Sequence, residues 1–355
     1  MRITLADVAK RAGVSPSTAS RVLNQRTSSV RISNATRQRI LQAARELNYS
    51  PNPVARALRM QRTNTVGIVS FDVNDPMAIA YASSIDQHLV ASGYRTIVSD
   101  ARNDAGTAME HVDYFLSARV DGIVLLASSY RPDAATLVGL ESNYEVPIVC
   151  ALRDQSADGI QSFVADYREG TREITLHLLS VGYRRLAVIV GAEMYEPDGT
   201  DRLHGAKDAC RDWGIDITPH MIVRDDEGGW NPKVGYRSMQ RLLRCEPLPE
   251  AVIAFDDVTA YGAIRAIYEA DMRVPNDIAV VGLDDLAVSA FFNPPLTTVR
   301  QPVEELATAL TQYLIQAIES GIEAPVTCRE FSTQVVIRES ALRNHRLQPD
   351  TTYHK

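Results

Sequence analysis

The sequence predicts an α/β protein in two parts: a small all-α unit at the N-terminus, then a larger region whose parallel sheets form two lobes. Three observations carry this reading. From Val66 onward, short β-branched runs alternate with stretches of helical periodicity, the pattern of strand–helix–strand units. The first 50 residues contain no such run and instead place apolar residues at helical spacing between capping residues. The charge divides at the same place. Residues 1–62 hold twelve Arg and Lys against only Asp7 and Glu46, a net of +10, so in a chain of net −7 the remainder carries −17.

A length of 355 residues, 45% hydrophobic and 23% charged, fits two or three compact units and not a disordered chain. The first thirty residues carry Asp7, Lys10 and Arg11 without a continuous apolar stretch, so no secretion signal is expected. The longest apolar runs, at 122–127 and 278–283, fall far short of the roughly 20 residues that cross a bilayer. A cytoplasmic protein without membrane contact is expected. Cys150, Cys210, Cys245 and Cys328 show no CxxC or Cys/His ligand spacing and are expected to be ordinary buried thiols. No metal and no cofactor is expected.

Taken in order, Thr4-Leu5-Ala6-Asp7 reads as a capping box ahead of an apolar stripe of Leu5, Val8, Ala9 and Ala12. Gly13 stops that helix, and Ser15-Pro16 supplies an N-cap and a first-turn Pro for a second. In the second helix Ala19, Val22 and Leu23 can face the first, which leaves Ser17, Ser20 and Arg21 on other faces. Two short helices joined by a tight turn make a helix-turn-helix. In that motif the second helix enters the major groove of DNA, where short hydroxyls and an Arg meet base edges or phosphates. A purely structural helical hairpin would leave the cluster of positive charge unexplained. Ser33 caps a third helix with Ile40, Leu41, Ala44 and Leu47 as its buried stripe, and Tyr49-Ser50-Pro51 ends it.

The segments from Thr4 to Ala9, from Ser20 to Asn24 and from Leu47 to Asn52 resemble the headpiece of the lac-repressor (LacI/GalR) family. The resemblance implies that Pro16 and Ser17 stand where the family varies its base-reading residues and that Arg21 stands at a position often used for base contact. Pro16 brings no side-chain donor, and residues are inserted before the 30–39 stretch relative to the short family pattern. The segment from Pro53 to Arg59 is similar to the family's hinge helix, in which Leu58 would wedge into the minor groove and Ala55 would permit close approach of a partner helix. The candidate DNA-contacting set is thus Thr4, Ser15, Pro16, Ser17, Ser20, Arg21 and Asn24, with Ala55 and Leu58 from the hinge.

Beyond the hinge, a first set of strands is predicted at 66–71, 96–98, 122–126 and 147–150, and a second at 162–165, 186–190, 222–223, 251–255 and 278–281. Ligands of open α/β sheets sit beyond the strand C-termini. The residues found there are Asp72 and Asn74, Ser128 and Ser129, Asp166, Asp256 and Asp257, and Asp284 and Asp285. Carboxylates, amides and hydroxyls converging on one cleft suit a polyhydroxylated ligand, with Trp230 as the stacking aromatic. Each of these residues also has an ordinary reading as a turn or helix cap.

The family resemblance continues through Asp201 to Gly205, Gly235 to Met239, Val280 to Asp285 and Pro294 to Pro302, and reaches Ser340. It implies a periplasmic-binding-protein-like pair of lobes, completed by the stretch 296–337, with 303–318 in the first lobe. It also implies effector contacts from Arg202, Trp230, Asp256 and Asp284. Asp256 stands where many members have Asn, and Leu152-Arg153 stands where many have an acidic residue before the Arg. The candidate effector set is Asp72, Asn74, Ser128, Arg153, Arg202, Trp230, Asp256 and Asp284; a buried Arg202 beside Asp284 can equally be an internal ion pair.

The expected organisation is a headpiece at 1–50, a hinge and linker at 51–63, a two-lobed effector and dimerisation domain at 64–340, and a tail at 341–355. The expected function is that of an effector-controlled repressor, a homodimer on a pseudo-palindromic operator, with a carbohydrate as effector. A transport solute receptor is disfavoured by the basic headpiece. An enzyme is disfavoured because the chain has no G-x-G-x-x-G, no phosphate loop, no H-E-x-x-H and no G-x-S-x-G.

Overall fold

The protein was described through a computed structural model, which describes residues 3–23, 32–49, 62–127, 133–190, 201–225, 231–321 and 325–342. Asn24, Ala55, Leu58, Ser128 and Trp230 lie outside the described residues, as do residues 51–61 of the hinge expected at 51–63 and residues 343–355 of the tail expected at 341–355. The chain divides into two compact units, Met1–Asn64 and Thr65–Lys355.

The first unit packs α1 (Leu5–Ala12), α2 (Pro16–Leu23) and α3 (Asn34–Glu46) around Val8, Ala9, Ala12, Ala19, Val22, Ile40, Ala43 and Ala44. The caps are those the sequence predicts. Thr4 and Asp7 form the capping box, with the Thr4 amide donating to Asp7 Oδ2 at 2.9 Å. Gly13 closes α1 at φ 64°, a left-handed conformation that a Cβ would disfavour. Ser15 Oγ accepts the Thr18 amide at 3.2 Å, and Ser33 Oγ accepts that of Thr36 at 3.2 Å. Along α3 the stripe is rotated slightly from expectation: Ala43 is buried, whereas Leu41 and Leu47 pack at its margin.

The second unit contains two parallel sheets. The first lobe has strands β1 (Thr65–Ser70), β2 (Arg95–Asp100), β3 (Gly122–Leu126), β4 (Ile148–Ala151) and β5 (Gln161–Ala165). They alternate with α4 (Pro76–Ala91), α5 (Ala105–Ser117) and α6 (Ala134–Tyr144). The second lobe has β6 (Leu186–Val190), β7 (Ile222–Arg224), β8 (Ala251–Ala254) and β9 (Ala279–Val281). Its helices are α7 (Tyr167–Ser180), α8 (Asp201–Asp212), α9 (Pro232–Leu242) and α10 (Asp257–Glu269). Strands β1, β3, β4, β6 and β8 are buried almost throughout. Parallel sheets covered by helices on both faces require this, and it is why these strands read as apolar runs and not as alternations.

The C-terminal stretch serves both lobes. Strand β10 (Thr298–Arg300) pairs antiparallel with β12 (Gln334–Val336), while β11 (Cys328–Phe331) joins the first sheet, whose order is β11-β5-β4-β3-β1-β2. The second sheet runs β7-β6-β8-β9. Helix α11 (Val303–Ser320) puts Leu306, Leu310 and Leu314 into the first core, as the resemblance implies. One assignment changes: the strand predicted at 162–165 belongs to the first sheet, between β4 and β11, and not to the second set. The chain crosses between lobes after β5, at β10 to α11, and again between β11 and β12. Periodicity carries no signal for those crossings.

Among the described residues, no helix is long and apolar enough to cross a membrane, and no group of His, Cys, Asp or Glu is arranged to hold a metal. All four cysteines are free. Cys150 and Cys210 are buried as expected, which raises their thiols to about 12 and about 11, but Cys245 and Cys328 are partly exposed.

Helices in the second lobe approach through glycine. An ideal Cβ on Gly235 would lie 1.8 Å from Thr259 O, and one on Gly262 1.8 Å from Pro232 O, so α9 and α10 touch backbone to backbone. Gly235→Ala is therefore expected to destabilise the protein by about 3 kcal/mol, near the upper end of overpacking penalties. A urea titration measures this; an unchanged midpoint would mean that the two helices separate freely.

Candidate functional site

In the headpiece, Pro16 and Ser17 are exposed on α2, while Ser20 and Arg21 are partly exposed. The helix buries Ala19 and Val22 on the opposite side. Ser15 Oγ lies 2.9 Å from Ser17 Oγ and 2.8 Å from Thr18 Oγ1, a hydroxyl cluster at the helix start. Thr4 is exposed but is occupied by its cap with Asp7. Both acidic residues of this unit are engaged internally. Asp7 closes the capping box, and its carboxyl is held below the usual range by the Thr4 hydroxyl and amide. Glu46 accepts Arg11 Nε at 3.0 Å and Gln42 at 3.2 Å, and Arg11 holds its carboxyl down. Among the described residues, Lys10, Arg37, Arg39 and Arg45 are exposed and Arg21 partly so, a cationic excess of the kind a polyanion partner requires.

In the second unit, the C-terminal edges of both sheets open on one narrow cleft. Its walls are Phe71, Asp75, Met77, Tyr81, Leu152, Tyr167, Arg202, Asp256, Asp284 and Gln301. From the predicted set, the cleft brings together Arg202, Asp256 and Asp284. Asp72 and Asn74 instead form a local turn, with Asp72 Oδ1 accepting the Asn74 amide at 2.8 Å and its side-chain amide at 3.0 Å. Neither lines the cleft, and nor does Arg153, although its neighbour Leu152 does.

Asp75 takes the place expected for Asp72 and Asn74. It caps α4, accepting the amides of Met77 at 2.7 Å and Ala78 at 3.1 Å. Asp-Pro at the helix start carried the signal, since that spacing marks an N-cap with Pro at the first helical position. Asp256 caps α10 in the same way, accepting Thr259 N at 2.6 Å. Each cap commits one carboxylate oxygen, Oδ1, to its helix, whose partial positive N-terminus favours the charged form. Burial opposes it, raising the Asp75 carboxyl and taking that of Asp256 to about 7.

Asp284 is held at φ 126° and Leu152 at φ 73°. Both are conformations that non-glycine residues rarely adopt, and both fall in the cleft wall. Burial, reinforced by the charges of Asp257 and Asp256, pushes the Asp284 carboxyl well above its ordinary value, while Arg202 pulls it back. Arg202, on the first turn of α8, is only 6% exposed. Its Nη1 donates to Phe255 O at 2.8 Å, and its guanidinium lies 4.2 Å from the centre of the Tyr167 ring. It is the only cation lining the cleft among the described residues.

Behind this wall, Asp257 is fully buried and accepts the Leu286 amide at 2.9 Å, Thr298 Oγ1 at 2.5 Å and Ser289 Oγ. Asp285 pairs with Arg338 at 2.6 Å and Arg300 at 2.7 Å. These bonds fix the segment on which Asp284 rides.

Residues 4–52 match the bacterial regulatory proteins of the lacI family, and residues 175–341 match a periplasmic binding protein-like domain. The HTH-type transcriptional repressor PurR of Haemophilus influenzae (strain PittEE) is 31% identical over 341 residues, covering 95% of this chain and 98% of the relative. PurR of Pasteurella multocida (strain Pm70) is 32% identical over 339 residues, with the same coverage. The chain belongs to the lacI family of bacterial regulatory proteins. Among solved structures, the lac repressor dimer bound to operator and the anti-inducer ONPF superposes with TM-score 0.82 at 27% identity, over 96% of this chain and 100% of that one. The complex of the transcriptional regulator CelR with cellobiose superposes with TM-score 0.69 at 29% identity, with the same coverage. As a member of this family the protein is a DNA-binding transcriptional repressor and not an enzyme.

The buried acids make stability depend on pH. The Asp256 carboxyl is raised in the folded state, from 3.8 to about 7. Its contribution is therefore full below about pH 4 and is lost as pH rises through about 7. Asp256→Asn retains a capping side chain, so its stability is expected to fall less than that of the wild type between about pH 4.5 and 8, by about 3 kcal/mol. Urea denaturation at the two pH values checks this; parallel losses in both proteins would mean that Asp256 is ionised throughout.

Proposed function

We propose that this repressor binds a carbohydrate or a similar polyhydroxylated molecule in the cleft between its lobes, and that this binding sets its affinity for a pseudo-palindromic operator. The observation that carries the reading is the wall itself. Asp75, Asp256 and Asp284 offer acceptors and Arg202 offers donors, while Phe71, Tyr81 and Tyr167 supply apolar faces. Hydroxyl groups need both acceptors and donors, and the C–H face of a sugar packs on aromatic rings. That CelR was solved with cellobiose supports the same class. Arg153, Asp72 and Asn74, which do not line the cleft, and Trp230 and Ser128, which lie outside the described residues, remain proposed contacts, made when a ligand draws the lobes together. A ligand that prefers one setting of the lobes shifts the population toward it, and with it the DNA affinity.

On the DNA side, Ser17 and Arg21 are proposed as base-reading residues. Thr4, Ser15, Pro16, Ser20 and Asn24 are proposed to position the helix on the backbone, and Leu58 and Ala55 to act in a hinge at 51–63. A cytoplasmic homodimer is part of the same proposal, since a two-fold protein matches a two-fold operator. The lac repressor superposed here was solved as a dimer. The second copy has apolar surface to cover: Ile79 and Val90 on α4 and Ile97 and Val98 on the edge strand β2 are each 44–55% exposed, and Phe291 in the second lobe is 88% exposed. The exposed apolar residues that α4 and the neighbouring β2 share suit coverage by a second copy.

Binding to DNA from the gene's own upstream region, measured by fluorescence anisotropy across a salt series with a panel of mono- and disaccharides, tests the reading. Affinity is expected to fall steeply with salt and to change with one sugar. Sequence-independent binding at all salts would sink the operator claim, and indifference to the panel would sink the carbohydrate claim. Arg21→Ala is expected to weaken binding by about 1–3 kcal/mol and to relax sequence preference at one base pair per half-site. For the dimer, Ile79→Asp with Val98→Asp is expected to sediment as a monomer and to lose operator binding; a dimer that survives both changes would place the interface elsewhere.

A further inference from the structure

The cleft contains a residue that touches the ligand wall and both lobes at once. Gln301 is 7% exposed and sits at the crossing from β10 into α11, immediately before Pro302. Its Oε1 accepts the hydroxyl of Tyr81 at 2.9 Å and that of Tyr167 at 2.9 Å, and its Nε2 donates to Asp284 Oδ1. Tyr81 belongs to α4 of the first lobe and Tyr167 to the start of α7 in the second. One carboxamide therefore joins lobe to lobe and both to the carboxylate offered to a ligand.

The chemistry of the amide fixes this arrangement. Gln301 presents Nε2 to Asp284, which leaves Oε1, with its two lone pairs, for the two phenols. Each of the four groups occupies the position that satisfies the others. Tyr81 is fully buried, so its hydroxyl left without a partner would carry the cost of a desolvated polar group. Tyr167 has a second link to the cleft wall through the Arg202 guanidinium above its ring.

We propose that Gln301 is the positioning residue through which occupancy of Asp284 reaches both lobes. A ligand hydroxyl that donates to Asp284 competes for the lone pairs that hold Nε2 and moves the carboxylate. The amide must follow, and its two phenol partners report the movement to α4 and α7. This rests on the effector reading above and goes beyond it by naming the relay.

Amide hydrogen exchange of the full chain, followed by mass spectrometry, tests the relay without a ligand or DNA. Tyr81→Phe removes a hydroxyl from the first lobe alone, yet it is expected to speed exchange about threefold in the start of α7 in the second lobe. Gln301→Met is expected to do so at the start of both α4 and α7. Changes confined to the lobe that carries the substitution, or an increase spread evenly over the domain, would each overturn the relay. Because no DNA is present, its failure is separable from failure of the regulator reading, which rests on operator binding by the wild type.

Discussion

The effector domain is organised by the burial of carboxylates at the C-terminal edges of its sheets. A parallel strand must hand its chain to a helix on the sheet face, and the first turn of that helix has amides with no internal partner. Asp75 and Asp256 satisfy those amides after β1 and β8. The positions that terminate the strands thus also supply the acceptors that line the cleft. A carboxylate so placed is desolvated, and its charge is tolerable only where amides, hydroxyls or Arg202 compensate it. The three donors around Asp257 and the two arginines on Asp285 apply the same rule one layer deeper, and they hold the strained backbone of Asp284 in place.

Much of this was legible in the sequence because it rests on local chemistry. Capping boxes, a Pro at the start of a helix and a Gly at its end are read from neighbouring residues, and the headpiece elements fall where those signals put them. The strands announce themselves as apolar runs because both faces of each sheet are covered. The functional reading of the headpiece follows from charge that no internal acid cancels. Arg202, Asp256 and Asp284 were legible through motifs, and the structure gathers them into one cleft.

What was not legible depends on contacts distant in sequence. Asp75 was passed over for Asp72 and Asn74, because all three are polar residues after an apolar run, and only the helix geometry shows which one faces inward. Strand β5 was grouped with the second lobe because it follows the first set at ordinary spacing, although its partners in the sheet are β4 and β11. Tyr81 and Tyr167 lie 220 and 134 residues from Gln301, and no periodicity connects them. Their meeting is a consequence of the chain crossing repeatedly between the lobes.

Those crossings limit how the two lobes can move against one another. If the lobes were joined by one linker, a ligand could draw them together in many relative orientations. Here β5–α7, β10–α11 and β11–β12 run side by side: the Asp166 amide donates to Phe331 O at 2.8 Å, and Thr333 Oγ1 donates to Asp166 O at 3.2 Å. Such a braced set of strands restricts the lobes to a limited relative motion, and packed interfaces favour discrete arrangements over continuous ones. The polar wall then need only favour one of them. With an acceptor-rich wall and a single lining guanidinium among the described residues, the proposed ligand would supply that bias through its donors, since burial already works against the charge of the lining carboxylates.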